Sequence, residues 1–246
     1  MQTMTKTILT AAALAATGSL AASASAQTVV SGGHWDVELA YEDGSWDPHF
    51  HLHDTETEIE FDEVEILGNF DSDTAFDTPT PRPAGSQWDF TGAAAGEDLY
   101  IWTASDPQPE LTFLGTAAEE VELGVFVDDV VNMKFEGIVS GPAGGSFSKY
   151  GFNGSGGLEV HFASEGTGFT LDDQTLGINV TSHQHFNWAF TELGTYELAF
   201  SANGELVADG TTTSSDTFVV TFTVVPEPAS LGLLGLGGLA LMRRRR

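Results

Sequence analysis

Val130-Val131-Asn132-Met133-Lys134-Phe135-Glu136-Gly137-Ile138-Val139 alternates apolar and polar side chains through its middle. That period of two marks a strand with one face in a core and the other toward water. Working outward, Glu58 to Phe61, Val121 to Val127, Leu158 to Phe162, Phe186 to Phe190, Thr195 to Phe200 and Thr217 to Val225 read the same way, with β-branched and aromatic residues at alternating positions. Turn signals separate them at Glu42-Asp43-Gly44, Asn153-Gly154, Gly156-Gly157, Ala202-Asn203-Gly204 and Asp209-Gly210. No long stretch repeats with the helical period. About ten to twelve short strands so spaced predict an all-β chain, one β-sandwich of Ig-like or jelly-roll-like kind. The segments from Asp71 to Ser86 and from Gly141 to Gly157 lack the alternation and read as long surface loops, too short to link independent domains.

The chain has 246 residues, enough for one large β domain or two small ones, and the absence of any linker favours one, over residues 27–225. It carries 36 acidic and 8 basic residues and no cysteine. Between Gln27 and Val225 the only cations are Arg82, Lys134 and Lys149, against 35 carboxylates. So acidic a body excludes nucleic acid and anionic membrane as partners, because both need a basic face. Without cysteine there are no disulfides, thiolate metal sites or cysteine nucleophiles. The excess itself reads as a solvated, self-repelling surface. Calcium is the sharper alternative, at Asp71-Ser72-Asp73 and Asp128-Asp129, although neither continues into a calcium-loop pattern.

Both ends read as addresses. Lys6, the apolar run from Ile8 to Leu20 and the small residues Ala24-Ser25-Ala26 make residues 1–26 a secretory signal for signal peptidase, with Gln27 the first mature residue. At the other end, Pro226-Glu227-Pro228 precedes an apolar stretch from Leu231 to Met242 and the cluster Arg243, Arg244, Arg245 and Arg246. As a helix, Ala229 to Met242 would span about 21 Å, short of a hydrocarbon core of about 30 Å, and the arginines would hold its end on the cytoplasmic side. Residues 226–246 resemble the PEP-CTERM sorting signal of Gram-negative bacteria. The resemblance implies a transient inner-membrane anchor, processing by an exosortase, and delivery to the cell surface or extracellular matrix.

Seven histidines carry the chemical signal, and five fall in two clusters, His49-Phe50-His51-Leu52-His53 and His183-Gln184-His185. Residues i and i+2 of a strand share a face about 6.5–7 Å apart, so each cluster presents adjacent imidazoles. Two such rings can reach one divalent ion at about 2.0–2.1 Å per bond, with further ligands from His34, Asp36 or His161. Imidazole and carboxylate donors suit zinc and also manganese, nickel or copper. The competing reading is that single histidines such as His161 are ordinary hydrogen-bonding residues.

Gly33-His34-Trp35-Asp36-Val37 near the start, and His183-Gln184-His185-Phe186-Asn187-Trp188-Ala189-Phe190-Thr191 followed by Gly194-Thr195-Tyr196, resemble the motifs of the choice-of-anchor M surface domain. Asp98 to Trp102 with Leu114-Gly115, Ser140-Gly141-Pro142 and Asp209-Gly210 fall where that family has similar words, so the resemblance spans residues 29–225. Trp35 stands where the family has an aliphatic residue, Leu193 stands for proline, and His49 to His53 is outside the pattern. The resemblance implies surface handling of a transition metal alongside a metal-type ABC transport system. Its site residues would be His34, Asp36, His183 and His185, with Asn187 orienting a ligand and Trp188 in the core. His161, His49, His51 and His53 are secondary candidates.

Catalysis has no local motif. Ser146-Phe147-Ser148-Lys149 matches Ser-x-x-Lys without its partner motifs, and neither a nucleophile elbow, a phosphate loop nor His-Glu-x-x-His occurs. The expectation is therefore a non-catalytic surface protein. The alternative function is a surface adhesin or matrix component that stacks polysaccharide on exposed tryptophans among Trp35, Trp46, Trp88, Trp102 and Trp188.

Overall fold

The structure is a computed structural model that describes residues 27–71, 74–165 and 174–226. The secretory signal at 1–26 and the apolar anchor at 231–242 lie outside the described residues, as do Ser72 and Asp73. The described residues form an all-β sandwich assembled from three sheets. A mixed sheet runs in the order β1 (Thr28–Val30), β5 (Val64–Phe70), β17 (Phe218–Pro226), β15 (Gly194–Glu205), β9 (Val130–Ser140) and β12 (Thr175–Asn179), with β16 (Thr212–Ser214) added on β15. A second sheet runs β11 (Leu158–Ala163), β10 (Phe147–Phe152), β14 (Asn187–Phe190), β7 (Asp98–Trp102) and β6 (Thr80–Pro81). The third runs β13 (His183–His185), β8 (Phe113–Ala117), β2 (His34–Glu42), β3 (Ser45–Leu52) and β4 (Thr57–Ile59).

The alternation in β9 does what the period requires. Val131, Met133 and Phe135 are fully buried, while Lys134 and Glu136 pair at 3.1 Å on the outer face. One hydrophobic cluster draws on all three sheets. In it Trp102 and Trp188 pack on Phe222 with ring centroids 5.7 and 5.6 Å apart, and Phe147 packs on Phe135 at 5.2 Å. Burying each such aromatic stabilises the fold by about 1.5–3 kcal/mol. At Gly68 a side chain would collide with the Trp102 ring, so the close approach of β5 to that ring requires glycine.

Three readings of the sequence change. Val121 to Val127 is not a strand: Val121 and Phe126 are buried and each makes a single bridge, while Glu122, Leu123 and Gly124 between them are exposed in a turn. Gly141 to Gly157 is not only a loop, because it contains β10. All of Phe147, Ser148, Lys149 and Tyr150 are buried. A strand covered on both faces has no polar face to alternate with. Its inner face joins the main core, and its outer face lies under a short 3-10 helix, Ser86–Thr91, through Phe90 and Trp88. The β2–β3 hairpin, which turns through Asp43 and Gly44 at φ 50° and 85°, was marked in sequence only by its turn.

Lys149 is the unusual member of the core. It is fully buried, donates to the Thr116 hydroxyl, and sits 4.0 Å from the centroid of the Trp188 ring. Burial holds its amine well below the usual lysine range. An amine whose folded-state pKa lies below its unfolded one makes stability rise with pH up to the free-lysine value, about 10.4. Lys149→Met is expected to raise stability at pH 7 by about 1–3 kcal/mol and to remove the additional gain the wild type shows up to pH ~10. Urea unfolding of both chains across that range checks this, and a destabilised variant with an unchanged pH slope contradicts it.

Candidate metal centre

The two faces of β2 differ in kind. Trp35, Val37 and Leu39 face the core, while His34, Asp36 and Glu38 face the other way. Register extends this second face across the sheet. Asp36 and Glu38 sit opposite His51 and His49 of β3, and Asp36 sits beside Gly115 of β8, which is opposite His185 of β13. His183 pairs with Ala117, next to Glu38. Six of the seven histidines thus share one sheet face with buried carboxylates. The segment after β8 crosses this face, where the Glu120 N–H donates to Glu38 Oε1 at 3.3 Å and Val121 bridges to Tyr41.

Ligating atoms of His34, Asp36, His53 and His183 lie within 4.8 Å of one another. His53 Nε2 is 2.6 Å from Asp36 Oδ2 and 3.3 Å from Glu119 Oε2, and the rings of His34 and His53 stack at 4.3 Å. His34 Nε2 is 3.1 Å from His185 Nε2, and His185 in turn stacks on Phe113 at 3.7 Å. Glu119 Oε1 accepts from His183 Nδ1 at 2.7 Å and so orients that ring. Asp36 is fully buried and its Oδ1 has no hydrogen-bond donor.

The charges follow from burial and neighbours. Burial pushes the Asp36 carboxyl up, but His34 and His53 more than offset it and hold the group below its ordinary value. The Asp36 carboxylate, 3.7 Å from His34 Nε2, raises His34 in return, against its own burial. Burial pushes Glu38 up to about 8 and His185 down to about 4. His185 therefore stands as a neutral imidazole, the form that ligates metal.

Of the residues singled out in sequence, His34, Asp36 and His183 come together with His185 beside them. His53, a secondary candidate, stands in the centre of the group because the turn out of β3 returns it to His34, whose carbonyl accepts the His53 N–H at 3.1 Å. His49 and His51 lie farther along the same face. His161 does not join them: it is on β11 of the second sheet, 4.1 Å from the Phe186 ring. Asn187 Oδ1 accepts the Ala104 N–H at 3.0 Å, a bond that secures the segment after β7. Trp188 is in the core as expected. Asp128 and Asp129 enter no group of three or more ligating side chains among the described residues, and Asp129 Oδ1 accepts the Gly124 N–H. Glu38, Glu58, Glu119 and Glu120 were missed. Glu38 continues the i, i+2 series from His34 and was legible; Glu119 and Glu120 come from a segment without periodicity.

Gly115 forms the floor of the site. A side chain there would overlap the Asp36 carboxylate and come within 3.0 Å of His185 Cε1. Gly115→Ala should destabilise the protein by about 1–3 kcal/mol and displace both groups; chemical denaturation and the His185 ring resonances report the two effects, and an unperturbed ring contradicts the assignment. His161 supplies a separate check on burial. Burial and Lys149 lower it to about 4 from 6.5, so between those values the unfolded chain binds the extra proton and folded stability falls with acidification. Relative to His161→Gln, the wild type should lose stability as pH drops through this window, and parallel curves contradict it.

A family profile described as the PEP-CTERM protein-sorting motif matches residues 224–246. No curated protein matches the chain. The motif includes Pro226, Glu227 and Pro228 and the four terminal arginines. It marks the chain as an exported protein that passes the membrane, is processed by exosortase and is sorted to the cell surface.

Proposed function

We propose that the exported body, residues 27–225, is a non-catalytic surface domain of the choice-of-anchor M kind that captures a divalent transition metal, zinc first among them. The observation that carries this reading is the meeting within 4.8 Å of His34 and Asp36 from β2, His53 from the turn after β3 and His183 from β13. Ligands around one tetrahedral zinc are about 3.3–3.5 Å apart given bonds of about 2.0–2.1 Å, so small side-chain rotations suffice. His185, 3.1 Å from His34, is a further nitrogen donor at the edge of the group. Glu119 behind His183 supplies the carboxylate that commonly orients a ligating imidazole. The set is rich in nitrogen and has no thiolate, which suits zinc, nickel or copper over calcium. Delivery of the captured ion to a metal-type ABC transport system is consistent with the resemblance of the motifs around His34 and His183.

Polysaccharide stacking has less support. None of the five tryptophans is exposed: Trp35, Trp102 and Trp188 are buried, and Trp46 and Trp88 are half-buried against other rings.

The exported protein, purified without a histidine tag, should retain zinc by inductively coupled plasma mass spectrometry. Zinc at one hundred times its dissociation constant should stabilise the fold by about 2.7 kcal/mol. Both effects should disappear in His183→Ala/His185→Ala and weaken in His53→Ala. Zinc retention unchanged in the double variant would overturn the reading.

A further inference from the structure

The same sheet face continues beyond the first cluster. Ligating atoms of His51, His53 and Glu119 also converge, but His53 belongs to the first group and Glu119 already holds His183, so this is not an independent site. Ligating atoms of His49, Glu58 and Glu120 converge within 4.8 Å and share no residue with the first group.

Three features distinguish this second cluster from a chance gathering of surface acids. First, His49 is only 4% exposed, and its Nδ1 lies 2.9 Å from the Asp47 carbonyl oxygen. A carbonyl can only accept, so Nδ1 carries a proton, and in the neutral ring Nε2 is the nitrogen with the lone pair. Nε2 is buried with no hydrogen-bond partner and lies 3.7 Å from Glu120 Oε2, itself an acceptor. With the ring neutral, two acceptors face one another and a metal cation between them would join both, and a backbone carbonyl behind the ring is the usual support of a ligating imidazole. Second, Glu38 stands directly opposite His49 in the β2–β3 register, is fully buried, and has Oε2 unpartnered while Oε1 accepts the Glu120 N–H. Third, no lysine or arginine of the body compensates these carboxylates. Arg82 pairs with Asp89, Lys134 with Glu136, and Lys149 is buried against Thr116.

We infer that His49, Glu58 and Glu120, with Glu38 behind them, form a second divalent-cation site on the face that carries the first. One imidazole and two or three carboxylates make an oxygen-rich set, harder than the histidine cluster, and suit Mn2+. The two sites would then sort ions by hardness along one sheet face, nitrogen-rich at the β13 side and oxygen-rich toward β4.

The test is equilibrium dialysis of the exported protein against Mn2+ alone, with bound metal measured by mass spectrometry. Mn2+ affinity should fall at least tenfold in Glu58→Gln/Glu120→Gln and in Glu38→Gln, and should stay within twofold of wild type in His183→Ala/His185→Ala. The glutamine variants keep side-chain shape and remove mutual repulsion, so their metal-free melting temperatures should equal or exceed that of the wild type. Should the double glutamine variant fail to fold, Glu38→Gln alone decides. No Mn2+ bound by the wild type, or binding lost with His183 and His185 yet kept in the glutamine variants, overturns the second site. Zinc retention in the same set of variants reports the first site separately, so either can fail alone.

Discussion

Strand β2 has no solvent face. Its odd-numbered residues Trp35, Val37 and Leu39 enter the common core, and its even-numbered residues Asp36 and Glu38 are equally buried beneath the segment that follows β8. Sealing carboxylates in this way is costly unless something positive or strongly hydrogen-bonding meets them. Everything around the candidate centre answers that demand. Histidines approach from β13, from β3 and from the turn beyond it; Gly115 leaves room for the Asp36 carboxylate; and a loop amide reaches Glu38.

The scarcity of cations makes the demand sharper. With three basic side chains in the body and Arg82 and Lys134 paired elsewhere, the carboxylates of the histidine face rely mainly on imidazoles, a loop amide and ions from solution. Protons and metal ions compete for the same nitrogen lone pairs, so metal affinity of such a face falls as the medium turns acidic.

Lys149 shows the other solution to burial. On the core side of the sheet burial holds its amine below the usual lysine range, and the group packs under Trp188 and donates to Thr116. The contrast between Lys149, whose charged form burial disfavours, and Asp36, whose charged form His34 and His53 favour, follows from the neighbours each strand register supplies.

The all-β class, the β9 and β17 strands and the terminal sorting signal were legible in sequence, because alternation, turn residues and motif order are local properties. Strand β10 was not, since it is buried on both faces and local periodicity disappears when both faces are apolar or satisfied. Val121 to Val127 carried the strand pattern and became a turn, because its two anchors dip separately into the core. The separation of His161 from the other histidines, the central place of His53 and the recruitment of Glu119 and Glu120 were decided only by tertiary structure. Spacing along a strand says which side chains share a face; which strands lie side by side, and which loop crosses them, depends on hydrogen-bond pairing between segments far apart in sequence, such as β5 and β17 through Glu65 and Thr221.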